Sequence, residues 1–241
     1  MKQAGKLRQY AVNGYEAGAE QPIEPTFRDV TVVLRPRITL VRRRYEFAKR
    51  MLDLLLCIAA LPLVLCVTLV CAVLIWLDDP GPIFFTQLRT GKGGRRFKMY
   101  KFRTMVRDAE ELKRQYLHLN ELTWPDFKIT NDPRVSRVGR VLRRLSIDEL
   151  PQVFNVIKGD MSLVGPRPTS FAASTYELWH TERLEVAPGI TGLWQIGGRS
   201  DLDFDERVRL DIEYIERRSF ALDVWIIVQT ALAVVNRRGA Y

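Results

Sequence analysis

The sequence predicts an α+β fold that is mainly helical, with a small β-hairpin and a long apolar helix near the N-terminus. Residues 54–77 form a run of 24 residues without a charged side chain. Two short runs of strand-like composition, 83–88 and 97–102, flank a glycine-rich turn, which is typical of a hairpin. Three later segments have charge or apolar patterns typical of helices, at residues 108–119, 205–218 and 224–235.

The apolar run 54–77 is long enough to enter a membrane. As one helix it would extend about 36 Å, against about 30 Å for the hydrocarbon core of a bilayer. Pro62 divides it into two pieces that are each too short to span, because proline removes a backbone donor and clashes with the preceding turn. The segment alone favours a kinked helix that spans the bilayer. The alternative is a re-entrant helix that enters and leaves by the same face.

Basic residues precede the apolar run, and Asp78 and Asp79 follow it. The 241-residue chain has 37 Lys and Arg against 28 Asp and Glu, a net charge of +9. Residues 1–50 hold 11 basic and 5 acidic side chains. By the positive-inside rule, residues 1–48 are predicted to be a basic cytoplasmic tail. Membrane lipid explains this charge better than nucleic acid does, because the sequence contains no nucleic-acid recognition motif.

The few cysteines and histidines exclude several classes of function. The three cysteines all lie inside the run 54–77, so a disulfide scaffold is excluded. His118 and His180 belong to no ligand-like cluster, which argues against a Cys/His zinc site and against a Ser-His-Asp hydrolase. A catalytic metal would therefore be a hard cation bound by oxygen, and Mg²⁺ is the default expectation.

Residues 78–241 hold the candidate catalytic segments, beginning with the hairpin. Its glycine-rich turn, residues 91–94, lacks the spacing of a Walker A phosphate loop. The strand that follows is basic, and one or two of its cations, which include Lys101, could face a diphosphate. Near the C-terminus, the apolar segment 224–235 could be core or an amphipathic helix in a membrane interface.

Two adjacent carboxylates, Asp148 and Glu149, have two interpretations. In the first, Ser146 and Glu149 form the capping box of a helix. In the second, a short helix starts near Pro151 and ends before Gly159, so that both carboxylates precede its N-terminus. In that position they could bind Mg²⁺, and one of them could attack a phosphorus atom.

Arg167 and Asp211 are further candidates. Arg167 lies between two prolines, either in a plain surface turn or in a rigid loop that holds a guanidinium for bidentate phosphate binding. Asp211 follows an acidic cluster at residues 201–206. Most of these carboxylates are expected to be solvated or paired with arginines, and one could be a metal ligand.

Six motifs occur in order along the chain: KFRTM (101–105), NDPRV (131–135), RRLSIDELPQ (143–152), GDMSLVGPRP (159–168), PGITGLWQ (188–195) and LDIEYI (210–215). The series resembles the bacterial sugar transferases, the monotopic polyprenyl-phosphate phosphoglycosyl transferases that start exopolysaccharide and O-antigen synthesis. The resemblance extends from about Lys49 to the C-terminus.

The resemblance implies transfer of a sugar 1-phosphate from a UDP-sugar to undecaprenyl phosphate, with Mg²⁺ and release of UMP. Asp148 would attack the sugar-bearing phosphorus, and the lipid phosphate would then attack the resulting ester. Glu149 would bind Mg²⁺ or orient the groups, and Arg167 would hold a phosphate. Lys101 and Asp211 match further active-site positions of the family, with Asp211 expected beside the metal.

The sugar itself is not specified by the sequence. Gln195 and Arg199 lie in a loop that could contact it, but nothing in the residues chooses between glucose, galactose and another sugar. A homodimer is an open alternative to a monomer. A non-catalytic membrane adaptor that recruits other glycan enzymes is the main competing function.

The resemblance also bears on topology, since nucleotide sugars are cytoplasmic. It implies that residues 49–77 form a re-entrant helix broken at Pro62, with the catalytic domain 78–241 on the cytoplasmic face of the bacterial inner membrane. Many relatives have serine before this proline, where a hydroxyl could bond the freed backbone groups. Leu61 stands there in this chain, and it has no hydroxyl.

Overall fold

A computed structural model describes residues 43–121, 129–197 and 202–235. The helices in these ranges are α1 (Arg43–Asp78), α2 (Ala109–Gln115), α3 (Arg137–Arg144), α4 (Gln152–Lys158), α5 (Leu193–Ile196), α6 (Phe204–Arg217) and α7 (Phe220–Val235). The strands are β1 (Phe84–Thr90), β2 (Arg96–Phe102), β3 (Ser162–Val164) and β4 (Gly189–Thr191). The predicted mainly helical fold with a small hairpin is confirmed.

One face of α1 packs against the rest of the protein along most of the helix. Its buried residues are Asp53, Cys57, Val64, Cys71 and Ile75, which are spaced by four or seven positions and so lie on a single face. The opposite face carries exposed apolar side chains throughout the helix. The helix is therefore long and apolar enough to enter a membrane, but one of its faces is covered by protein.

The helix α1 differs from the expected one in its start and at Pro62. It begins at Arg43, so the boundary that we expected at residue 48 lies inside a helix. It is also continuous through Pro62, where we expected a break. Pro62 lies on the exposed face, and loss of a single backbone donor need not end a helix whose other hydrogen bonds are kept. The re-entrant topology stays a prediction.

Both ends of α1 are hydrogen-bonded to other helices of the described structure. Near its start, Arg50 donates to the carbonyl oxygens of Val156 and Ile157 at 2.6 and 2.9 Å, which satisfies the C-terminal end of α4. At its end, Asp78 Oδ2 accepts the backbone N–H of Val138 at 3.0 Å, in the first turn of α3. Both ends of the helix are thus anchored to neighbouring helices of the same structure.

The predicted hairpin forms and is held in place by α4. Strands β1 and β2 are antiparallel, with Phe84 opposite Phe102. Asn155 of α4 is fully buried and makes two hydrogen bonds to β2. Its Nδ2 donates to Lys98 O at 2.8 Å, and its Oδ1 accepts from Tyr100 N at 2.9 Å. These bonds fix the strand that carries Lys101 against the helix that follows Asp148.

A second, parallel sheet was missed by the sequence analysis. It positions residues 165–168, the Gly-Pro-Arg-Pro loop. Strand β3 pairs with β4, and the loop starts directly after β3. A Cβ atom on Gly189 would lie 2.1 Å from the nitrogen of Gly165, so only glycine allows this approach of the two backbones. The sheet is tied to α1, because Asp53 accepts from Ser162 Oγ at 2.7 Å and from Leu163 N at 3.1 Å.

The C-terminal helices α6 and α7 pack around a buried carboxylate. Asp223 accepts hydrogen bonds from Tyr214 at 2.7 Å and from Tyr45 at 2.8 Å, and its ion pair with Lys49 spans 3.2 Å. Tyr45 and Lys49 belong to α1, so this cluster joins three helices. The outer face of α7 exposes apolar side chains, which include Trp225 and Val228. Its predicted position in a membrane interface stays a prediction.

Candidate active site

The two adjacent carboxylates lie on a single 3₁₀ turn, Ile147–Glu149, immediately before α4. Ser146 has a positive φ of 55° and its side chain makes no capping hydrogen bond. The helix instead begins after Pro151 and ends at Gly159, whose φ of 91° suits glycine. Of the two interpretations of Ser146 to Glu149, the capping box is therefore wrong and the placement before a helix is confirmed.

Glu149 is held by two cations. Lys101 Nζ lies 2.8 Å from its Oε1, and Arg167 donates to both of its oxygens, with 3.2 Å from Nη1 to Oε2. Burial by itself would raise the pKa of the Glu149 carboxyl, but Arg167 and Lys101 more than offset it and hold that pKa far below the ordinary range. Both oxygens of Glu149 are thus engaged by cations, which favour its ionised form.

Asp148 is buried but only loosely paired. Its Oδ2 lies 3.6 Å from Lys101 Nζ, and within the described part of the chain it accepts no hydrogen bond. Burial raises the pKa of its carboxyl, against the lowering effect of the nearby Lys101. Asp148 therefore offers its carboxylate oxygens to a ligand, whereas both oxygens of Glu149 already accept hydrogen bonds from Lys101 and Arg167.

Asp211 is not joined to these two carboxylates. Its Oδ2 accepts from Arg183 at 2.6 Å, and the same guanidinium nitrogen donates to the carbonyl oxygen of Arg167 at 2.7 Å. Burial raises the pKa of Asp211 to about 6, although Arg183 opposes this shift. The geometry therefore makes Asp211 a support for the loop of Arg167 through Arg183.

The predicted metal set of Asp148, Glu149 and Asp211 is accordingly not met in this geometry. Within residues 43–121, 129–197 and 202–235, no three His, Cys, Asp or Glu side chains form a group that could hold a metal. The described members of the acidic cluster at residues 201–206 lie at the start of α6 and are engaged elsewhere. Asp203 caps that helix by accepting from Glu206 N at 2.7 Å, and Asp205 bonds His180 at 2.9 Å.

Replacing Asp211 with alanine should cost about 3–5 kcal/mol of folding free energy, because it leaves the buried guanidinium of Arg183 without its counter-ion. Urea or guanidinium denaturation of the purified protein measures this. Glu213→Ala is the matched control, since its ion pair with Arg217 is exposed and should contribute no more than about 0.5 kcal/mol. Equal stability of the two variants would contradict a supporting role for Asp211.

Of the two residues expected near the sugar, Gln195 and Arg199, the structure describes only Gln195. Gln195 lies in α5 and donates from Nε2 to the carbonyl oxygen of Ile190 at 3.0 Å, and no contact joins it to Asp148 or Arg167. Arg199 lies outside the described residues. Their contact with a sugar stays a prediction.

Three arginines near the site were missed by the sequence analysis. Arg89 bonds the carbonyl oxygen of Pro168, Arg183 bonds that of Arg167, and Arg143 bonds Thr104 Oγ1 at 2.9 Å beside Asp148. Arg143 could have been found, because it opens the motif that contains Asp148. Arg183 and Arg89 could not, because they approach the site only through the packing of distant segments.

The site combines a loosely paired buried carboxylate with a second carboxylate clamped by lysine and arginine. Fixed cations around an open carboxylate are typical of enzymes that handle phosphate groups. Residues 44–237 match the family model described as Bacterial sugar transferase, and the chain therefore belongs to the bacterial sugar transferase family. The family membership expected from the six motifs is confirmed.

Several curated relatives are similar over most of this chain. It is 38% identical to the undecaprenyl-phosphate galactose phosphotransferase of Salmonella typhimurium, across 89% of this chain and 46% of the relative. It is 40% identical to the exopolysaccharide production protein ExoY of Rhizobium meliloti, across 80% of this chain and 88% of the relative. It is 48% identical to the galactosyl transferase CpsE of Streptococcus agalactiae, across 67% of this chain and 36% of the relative. The chain thus spans half or less of the length of the Salmonella and Streptococcus proteins.

Proposed function

We propose that this protein transfers a sugar 1-phosphate from a UDP-sugar to undecaprenyl phosphate and releases UMP, as the first membrane step of a surface glycan. The names of its relatives support this, since they include undecaprenyl-phosphate sugar phosphotransferases and a UDP-glucose:undecaprenyl-phosphate glucose-1-phosphate transferase. The observation that carries the proposal is the open carboxylate of Asp148 beside the clamped Glu149.

Asp148 is the nucleophile in this proposal. One of its oxygens attacks the β-phosphorus of the UDP-sugar, and the bond from that phosphorus to the oxygen shared with the α-phosphate breaks. UMP leaves with that electron pair, and the sugar phosphate stays on Asp148 as an ester. An oxygen of undecaprenyl phosphate then attacks the same phosphorus, and the Asp148 carboxylate departs. Asp148 suits this role better than Glu149 because it accepts no hydrogen bond elsewhere in the described ranges.

Lys101 and Arg167 provide the fixed positive charge that such a reaction needs. Both contact Glu149, so they are oriented before a substrate arrives and need little reorganisation in the transition state. Arg167 keeps a side-chain exposure of 35%, which leaves part of the guanidinium accessible to a phosphate. The prolines on either side and the Arg183 bond to its carbonyl oxygen restrict its backbone.

The site fits Mg²⁺, which we propose as the cofactor. Mg²⁺ is usually bound by one or two carboxylates and by substrate phosphates, so a third protein ligand is not required. Asp148 has free lone pairs and Glu149 lies beside it, and these two residues would hold the ion. When bound, the ion would supply charge neutralisation for the phosphates of the donor. Asp211 is not needed in this arrangement.

We further propose that the protein is monotopic, with α1 re-entrant and the catalytic domain on the cytoplasmic face of the inner membrane. Two observations support this. The ends of α1 bond to the same domain through Arg50 and Asp78. The face of the helix that carries the buried residues from Asp53 to Ile75 is covered by protein. A helix so attached cannot separate its ends across a bilayer without losing these contacts. Its exposed apolar face would contact lipid.

The proposed function is tested by incubating the full chain in lipid nanodiscs with undecaprenyl phosphate and a panel of UDP-sugars. We expect UMP release with at least one donor, dependence on the lipid phosphate, and loss of turnover when EDTA removes divalent metal. Absence of turnover with every donor, together with retained binding of other glycan enzymes, would instead favour a membrane adaptor.

Arg167→Lys should lower kcat/KM for the donor by about 10- to 100-fold, because lysine offers a point charge in place of the planar fork that holds Glu149 and that we propose to bind a substrate phosphate. Steady-state UMP release measures this effect. Arg137→Lys is the control, since this exposed arginine of α3 lies outside the site. Wild-type kinetics in Arg167→Lys would show that Arg167 is only a turn residue.

A further inference from the structure

Arg89, at the end of β1, is a cation without a counter-ion. Its Nη2 donates to Gln87 Oε1 at 2.6 Å and its Nη1 to Pro168 O at 3.3 Å, so both partners are neutral. Its Nε is buried and has no hydrogen-bond partner. Across the described ranges no carboxylate lies within ion-pair distance of it. A half-buried charge with a buried, unpaired Nε is costly unless a ligand completes its environment.

The position of Arg89 is fixed against the loop that carries Arg167. The end of β1 pairs with the chain beyond that loop, where Thr90 N donates to Thr169 O at 3.0 Å. Arg167 is therefore near, and its charge adds to burial in lowering the pKa of Arg89 to about 10. Glu149 is already neutralised by Lys101 and Arg167 and is not available to Arg89 as an ion-pair partner.

We propose that Arg89 is a substrate-binding residue that receives a phosphate monoester next to Arg167. This inference rests on the proposed function. In an in-line displacement, the group that leaves phosphorus in the first step and the group that attacks in the second occupy the same side of the phosphorus. UMP and undecaprenyl phosphate are both phosphate monoesters, so a single cation can serve the departing nucleotide and then the arriving lipid.

The test compares Arg89→Gln and Arg89→Lys with the control Arg95→Gln. Arg95 belongs to the same hairpin, but its side chain is 71% exposed and pairs with Asp160. Two quantities are measured in nanodiscs: the UMP dissociation constant by calorimetry, and the KM for undecaprenyl phosphate. Arg89→Gln should weaken at least one of them by about 10- to 100-fold, Arg89→Lys should weaken it less, and the control should match wild type.

The pattern of effects identifies the ligand and separates binding from folding. Weaker UMP binding alone would assign Arg89 to the nucleotide, a raised KM alone to the lipid, and both to the shared subsite. The melting temperature of ligand-free Arg89→Gln should not fall, because an uncompensated charge has been removed. Unchanged constants would overturn the inference, and so would equal losses in both variants together with lower melting temperatures.

Failure of the proposed function would have a different result. In that case the wild-type protein itself would release no UMP from any UDP-sugar. UMP binding to wild type and variants can still be compared without turnover, so the role of Arg89 is tested independently.

Discussion

Replacing Asp148 with asparagine is expected to lower UMP release by about 10⁴-fold or more and to abolish any covalent sugar-phosphate adduct. The amide has nearly the same size but lacks the charge and the nucleophilic oxygen pair. Because Asp148 accepts no hydrogen bond within the described ranges and touches Lys101 only at 3.6 Å, the fold should survive the change. UMP release by the purified variant, with a check of its melting temperature, measures the effect.

The matched control for this variant is Asp108→Asn. Asp108 is exposed, precedes α2 and makes no capping hydrogen bond, so this change should leave activity at the wild-type level. If Asp148→Asn kept more than about a tenth of wild-type turnover, Asp148 would not be the nucleophile.

Pro62→Leu is expected to move part of the protein into a spanning topology. The substitution restores the missing backbone donor and removes the proline from an apolar helix that has basic residues before it and acidic residues after it. The packing of the buried face of α1, which ends at Ile75, favours the original topology. We therefore expect a mixture in which a measurable fraction of the molecules spans the membrane. Activity in intact cells should fall in proportion, because the nucleotide sugar stays in the cytoplasm.

A reporter tag at the C-terminus measures the topology of this variant. In the wild type the tag should be inaccessible from outside the cell, whereas in Pro62→Leu a fraction of the tags should become accessible. Leu65→Ile is the control, since it changes an exposed side chain of the same helix without altering backbone hydrogen bonding. A wild-type C-terminus found outside the cytoplasm would refute the re-entrant model.

The elements that local chemistry specifies were predictable from the sequence. The hairpin follows from strand-like runs around a glycine-rich turn, and α4 follows from Pro151 near its start and Gly159 just past its end. The β3–β4 pair was missed because each strand has three residues, too few to show alternation. Helix α3 was also missed, because half of its eight residues are basic, although Ser136 Oγ caps it by accepting from Gly139 N at 3.0 Å.

The members of the site were more predictable than their partners. Asp148, Glu149, Lys101 and Arg167 were identified from motifs, and the structure brings them together. Which carboxylate is clamped depends on the direction from which the hairpin and the Gly-Pro-Arg-Pro loop approach, and no local pattern specifies that. The pairing of Asp211 with Arg183 joins positions 28 residues apart and supports the loop of Arg167, which no local pattern around Asp211 indicates.

The most direct test of the account is mass spectrometry of the wild-type protein incubated with its UDP-sugar in the absence of undecaprenyl phosphate. We predict a mass increase equal to one sugar phosphate, located on the peptide that contains Asp148 and removed when the lipid phosphate is added. An unmodified protein that nevertheless releases UMP only when donor and acceptor are both present would contradict the covalent mechanism, as would an adduct on any other residue.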